Sequence, residues 1–144
     1  MFLAVEILAH GMSGEPVDYL SWKDRDEEAN QFKEIIKQLK KKGFESGDII
    51  VLSCVGRNES IVNYIDPDKF IIGDLGDDPK SYQALFSTIQ SFKGLESKIV
   101  ILTDIDNYND SQLMYVGLSR ARSKMYVLES DKASKQRKSN LVRR

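Results

Sequence analysis

Two short stretches hold polar residues in patterns that could do chemistry. One is Thr88-Ile89-Gln90-Ser91-Phe92-Lys93-Gly94-Leu95-Glu96, the other Tyr115-Val116-Gly117-Leu118-Ser119-Arg120-Ala121-Arg122. In the first, polar side chains gather where an apolar run gives way to a turn, the kind of edge at which open parallel sheets place ligands. Gly94 lets backbone approach a partner closely, and Lys93 and Glu96 flank it. In the second, Arg120 falls near the end of a predicted helix. Gly117 and Val116, one helical turn earlier, are small enough to leave its guanidinium room. An arginine so placed has two readings. It can reach across a cleft and pair its planar fork with phosphate oxygens, or it can, with Arg122, complement the negative end of the helix dipole.

Other chemistries find little support. Neither G-x-G-x-x-G nor G-x-x-x-x-G-K-[ST] occurs, so the chain makes no phosphate cradle of either common kind. The single histidine, His10, lies in the N-terminal strip, which leaves no credible Ser/His/Asp triad. One histidine and one cysteine cannot assemble a zinc cluster, and Cys54 sits in an apolar run where it reads as a small core residue. A lone cysteine also forms no internal disulfide, so an intracellular, cytoplasmic setting is expected. Five aspartates between Asp66 and Asp78 do not have the spacing of an EF-hand loop and read as a solvated surface loop.

The elements that position these stretches follow from periodicity. The chain has 144 residues, the size of one domain, and 41% of them are hydrophobic. No apolar run approaches the ~20 residues of a membrane-spanning helix, so no membrane partner is expected. Val17 to Trp22 alternates like a half-buried strand. Asp24 to Lys42 is an amphipathic helix: Ala29, Phe32, Ile35, Ile36 and Leu39 share one face, Asp24 or Asp26 caps the start, and Gly43 ends it. Asp48 to Cys54 and Lys98 to Leu102 are continuous apolar runs too short for helices, the mark of parallel strands buried on both faces. Ala84 to Gln90 and Met125 to Leu128 read as further strands, and Asp110 to Ala121 as a helix. Ile61 to Ile65 reads as a short helix and Lys69 to Ile72 as a short strand. This alternation predicts a parallel sheet covered by helices on both faces, a three-layer α/β fold.

Charge divides the chain. Net charge is −1, yet residues 130–144 carry six basic residues and one acidic, a local +5 that leaves −6 on residues 1–129. The last fifteen residues are expected to be a basic, flexible tail. Met1 to Ala9 is a short apolar run that lacks the charged start and cleavage site of a secretory signal, and residues 1–14 read as a connecting segment from a larger protein.

The two polar stretches carry a resemblance. TIQSFKGLESKIVIL resembles motif V of the UvrD/Rep-like superfamily 1 helicases, T-x-H-x-x-K-G-L-E followed by a hydrophobic strand. YVGLSRARSKMYVL resembles their motif VI, Y-V-[GA]-[LV]-[ST]-R-A followed by a strand. DIIVLSCVGRNES is similar to the preceding strand and motif IV, with two extra residues before its arginine. The helix rich in Glu27, Glu28 and Ala29 matches the layout too, and the resemblance spans residues 15–129.

That resemblance implies the second RecA-like motor domain of an ATP-dependent DNA helicase or translocase, a P-loop NTPase-type lobe without its own Walker A motif. The partners it implies are single-stranded DNA and an N-terminal RecA-like domain of the same parent chain, with ATP and Mg held mainly by that first domain. Arg120 matches the arginine finger. Arg57 matches the motif IV arginine near the γ-phosphate, and Glu96, beside Gly94, matches the glutamate at the ribose. Thr88, Gln90 and Ser91 match positions facing DNA. Three departures stand out: Gln90 replaces the usual histidine, Ser97 replaces the usual aromatic, and only about 30 residues separate motifs IV and V, so the large 2B insertion is missing. The rival readings are a degenerate helicase lobe kept as a non-catalytic interaction scaffold, and a nucleotide-binding regulatory domain.

Overall fold

The computed structural model describes residues 17–65 and 70–142. Six strands form one sheet in the order β1-β6-β5-β2-β4-β3, and every neighbouring pair is parallel. The elements in chain order are β1 (Asp18–Trp22), α1 (Arg25–Lys41), β2 (Ile49–Ser53), β3 (Ile72–Asp74), β4 (Ala84–Thr88), β5 (Ser97–Ile105), α2 (Ser111–Leu118), β6 (Ala121–Ser130) and α3 (Asp131–Val142). Because all strands run the same way, the sheet has an entering edge, where they begin, and a leaving edge, where they end.

Alternation sorts the central strands between two cores. Ile49, Val51, Ile99, Ile101, Tyr126 and Leu128 pack under α1, against Phe32, Ile36 and Leu39. Ile50, Leu52, Val100, Leu102, Met125 and Val127 face the other way, toward Met114 and Leu118 of α2 and Ala133 of α3. Helices therefore cover both faces, and the three-layer α/β expectation holds. The Asp24 carboxylate caps α1 by accepting from the Glu27 amide at 2.9 Å, and Gly43, at φ +93°, supplies the left-handed turn that ends it.

Several boundaries differ from the sequence reading, each for a physical reason. Helix α2 stops at Leu118 rather than Ala121, because the Ser97 amide donates to the Arg120 carbonyl at 3.0 Å and draws Ala121 into strand pairing. Ile61–Asn63 forms one 3-10 turn, and the short strand falls at Ile72–Asp74, inside the stretch expected to be loop. The apolar run Met1–Ala9, residues 1–14 and Asp66 to Lys69 lie outside the described residues.

The largest difference is at the C-terminal end, where the expected flexible tail is instead helix α3 over Asp131–Val142. Arg137 locks it down. Its Nε and Nη2 donate to the Glu129 carboxylate at 3.0 and 2.8 Å, its guanidinium stacks 3.5 Å from the Tyr19 ring centroid, and the Tyr108 hydroxyl donates to the same carboxylate at 2.6 Å. Arg137 and Glu129 are both buried, so the pair satisfies charges that would be costly alone.

Candidate functional site

The two polar stretches are joined at the entering edge. After Thr88 closes β4, a compact turn crosses the molecule to the start of β5, with Phe92 buried as its anchor. Gly94 adopts φ +84°, a conformation that disfavours any Cβ, and nothing lies within 4 Å of where a Cβ would project. Glycine is needed here for the bend and not for a close approach. The bend aims the Leu95 carbonyl at Arg120, whose Nη1 donates to it at 3.1 Å. Arg120 Nε donates to the Val116 carbonyl at 3.0 Å, and Nη2 to Ser119 Oγ at 3.0 Å.

Three neutral acceptors thus hold a half-buried guanidinium, and no ion pair among the described residues includes it. Of five N–H donors on an arginine, three are used and two remain. Glu96 is exposed beside it, and Leu95 is 47% exposed. Gly94, Glu96 and Arg120 therefore share one ledge. The dipole-complement reading of Arg120 fits only in part: it does bond a carbonyl of the last helical turn, but it also reaches 25 positions back along the chain.

Thr88, Gln90 and Ser91 sit at the opposite, leaving edge. Thr88 Oγ1 accepts from the Ser91 amide at 3.2 Å, which leaves Gln90 and Ser91 exposed. Thr88 and Gln90, with Ser53, Cys54, Val55, Gly56, Ile89 and Leu113, border a shallow cleft of about 100 Å³, and Ser91 lies outside its lining. Gly117 ties this turn to α2: a Cβ there would stand 3.0 Å from Ile89 Cδ1. Cys54 is half-buried, and burial together with Asp104 raises its thiol to about 12, so it stays protonated and unreactive at neutral pH.

Arg57 does not join Arg120. It lies beyond the leaving end of β2, where it donates to Asp74 Oδ1 at 2.7 Å and to the Ile72 and Gly73 carbonyls, with its guanidinium over the Phe86 ring. Those contacts staple β3 to the turn after β2.

A cluster that the sequence reading missed surrounds Asp104, at φ +65° near the end of β5. Its Oδ2 accepts from the hydroxyls of Ser53 (2.5 Å), Ser60 (2.6 Å) and Thr103 (3.0 Å). Its Oδ1 accepts from Arg25 Nη1 (2.7 Å) and the Ile61 amide (2.8 Å). Glu28, wholly buried, accepts from the Asp104 amide at 3.0 Å and from Arg25 at 2.6 Å. Desolvation, then the Asp104 charge, raise Glu28 to about 7 against the pull of Arg25. One signal was available: Glu28, Phe32, Ile35 and Leu39 are spaced along a single helical face, so Glu28 is a carboxylate in the apolar stripe.

Sequence comparison now bears directly on the ledge. Residues 83–128, which hold β4, β5, α2 and both polar stretches, match the profile of the UvrD-like helicase C-terminal domain. The chain resembles a UvrD-like helicase C-terminal domain. The C-terminal domain of a possible DNA helicase from Lactobacillus plantarum WCFS1 superposes with a TM-score of 0.65 over 88% of this chain and 83% of that one. Only 12% of residues are identical, so this second likeness is one of fold. No curated protein matches the sequence. The UvrD-like match falls on the strands and helix that carry Arg120, Gly94 and Glu96.

Proposed function

We propose that this chain is the second RecA-like lobe of an ATP-dependent DNA helicase or translocase, with Arg120 as its arginine finger. The observation that carries the proposal is the state of that side chain. It is oriented by three neutral acceptors, bears an unneutralised charge, and stands beside Gly94 and Glu96. As a helix-end cation it stabilises the last carbonyls, which does not by itself require that its charge stay unpaired. A cation meant for a triphosphate does, because charge that develops on a transferring phosphoryl group is stabilised only by a donor not already paired.

In this reading a first lobe cradles the phosphates and Mg, and closure of the lobes brings the two remaining Arg120 N–H groups to the γ-phosphate. Glu96 accepts from the ribose, and the Gly94 bend keeps the backbone low beneath it. Thr88, Gln90 and Ser91 hydrogen-bond a single strand at the other edge. Arg57 has no part, since its guanidinium is occupied by β3. The chain alone hydrolyses no ATP, because it has no phosphate cradle of its own.

The test is single-strand-stimulated ATP turnover by the complete gene product, wild type against Arg120→Ala. Loss of turnover with retained nucleotide and strand binding supports the motor. Unchanged turnover returns the chain to the scaffold reading.

A further inference from the structure

Ser119 performs a task that neither its small size nor its place at a helix end requires. Its hydroxyl donates to the Val116 carbonyl at 2.9 Å, which commits its only hydrogen and leaves its lone pairs for Arg120. Arg120 Nη2 donates to that oxygen at 3.0 Å while Nη1 donates to the Leu95 carbonyl at 3.1 Å. One hydrogen of each terminal nitrogen is therefore engaged. With Nε held by Val116, all three guanidinium nitrogens are anchored, and one hydrogen is left on each terminal nitrogen.

We propose that Ser119 is a positioning residue for Arg120, working with the Leu95 carbonyl to hold the guanidinium plane ready before any phosphate arrives. This inference rests on the finger assignment above and deepens it. Without the hydroxyl, Nη2 loses its anchor and the side chain regains rotamer freedom that must be removed again in each turnover. The contacts are neutral, so Ser119 sets geometry without lowering the charge that Arg120 presents. Alanine should cost turnover and spare affinity, since uniform binding is unaffected while an interaction required in the transition state is misaligned.

The experiment compares Ser119→Ala, Ser119→Thr and Arg120→Ala in the complete gene product, reading kcat and KM for ATP with single-stranded DNA present. The isolated chain supplies a second reading, the exchange of the Arg120 Nε–H by NMR. Ser119→Ala is expected to lower kcat about tenfold, equivalent to roughly 1.4 kcal/mol, to leave KM within about twofold, and to speed Nε–H exchange. Ser119→Thr, which keeps the hydroxyl, restores both. A normal kcat for Ser119→Ala beside an Arg120→Ala that is dead overturns the positioning role and leaves the finger standing. A normal kcat for both variants removes the finger itself. Slow Nε–H exchange in Ser119→Ala also counts against the proposal, whatever the turnover.

Discussion

The entering and leaving edges of the sheet differ in what holds their arginines, although acidic residues stand at both, Asp18, Asp48 and Glu96 at the entering edge among them. Around the starts of β5 and β6 stand Lys98, Arg120, Arg122 and Lys124, and Lys40, Lys41 and Lys42 lie at the end of α1 that returns to that edge. The leaving edge carries Asp24, Asp26, Glu59, Asp104, Asp106 and Asp110, with Glu28 beneath them. At the leaving edge the cations are spent internally: Arg25 binds Glu28 and Asp104, and Arg57 binds Asp74. At the entering edge Arg120 is gripped by carbonyls and a hydroxyl, which fix a cation without cancelling it. The leaving-edge arginines are invested in holding the fold, whereas Arg120 makes no ion pair among the described residues.

Mutation of the two edges should therefore split activity from stability. Arg120→Ala is expected to lower ATP turnover of the complete protein by about three orders of magnitude or more, within the range for arginine fingers. Its denaturation midpoint should stay close to wild type, since a half-exposed residue without a charge partner contributes little to folding. Asp104→Ala should do the reverse, costing about 3 kcal/mol of stability, since it takes a buried carboxylate away from the donors that converge on it, measured by urea unfolding of the chain. Equal stability losses from both substitutions would erase the contrast between the edges.

The pH dependence sharpens it further. Glu28 rises from the ordinary carboxylate value of 4.5 to about 7 in the folded protein, through burial and the adjacent Asp104. Between those values the folded state holds a proton that the unfolded state has released. Stability should then fall as pH climbs from about 4.5 to about 7 and level off above, the reverse of an acid whose pKa is depressed. Thermal unfolding across that range, with Glu28→Gln as the variant that flattens the Glu28 contribution, checks the sign. A slope equally steep in Glu28→Gln would place the titrating group elsewhere.

The smallest effect is expected at Gln90. Carboxylates dominate the leaving edge, so a strand bound there is met by uncharged donors more than by field attraction. Gln90→Ala should weaken single-strand binding a few-fold, leave DNA-free turnover intact, and leave the salt dependence of binding unchanged, because no phosphate-neutralising cation is lost. Fluorescence anisotropy at two salt concentrations measures both quantities.

Much of the architecture was legible because apolar spacing reports local geometry. The runs Ile49–Ser53 and Ile99–Leu102, and the face Phe32, Ile36, Leu39, state which way each segment turns its side chains. Gly94, Glu96 and Arg120 were picked out by the two short motifs that carry them, and the bond from Arg120 to the Leu95 carbonyl is what joins those motifs in space. The Asp104 cluster was not, since its partners Arg25 and Asp104 lie 79 positions apart and meet only once β5 passes beside the start of α1. Arg137 was misread for a related reason. In a stretch with six basic residues nothing local marks the one whose carboxylate, Glu129, waits at the end of a buried strand. The contacts of Arg57 were not legible either: it follows an apolar run, and nothing local marks that β3 will supply its partners.

The grip on Arg120 through the Leu95 carbonyl has a consequence for how this surface can vary. A backbone oxygen is present whatever residue occupies the position, and the Leu95 side chain projects toward solvent. Position 95 is thus at liberty to vary with the arginine's hold untouched. The same freedom does not extend one residue back, where any side chain would fight the left-handed bend at Gly94 and swing the oxygen away from its guest.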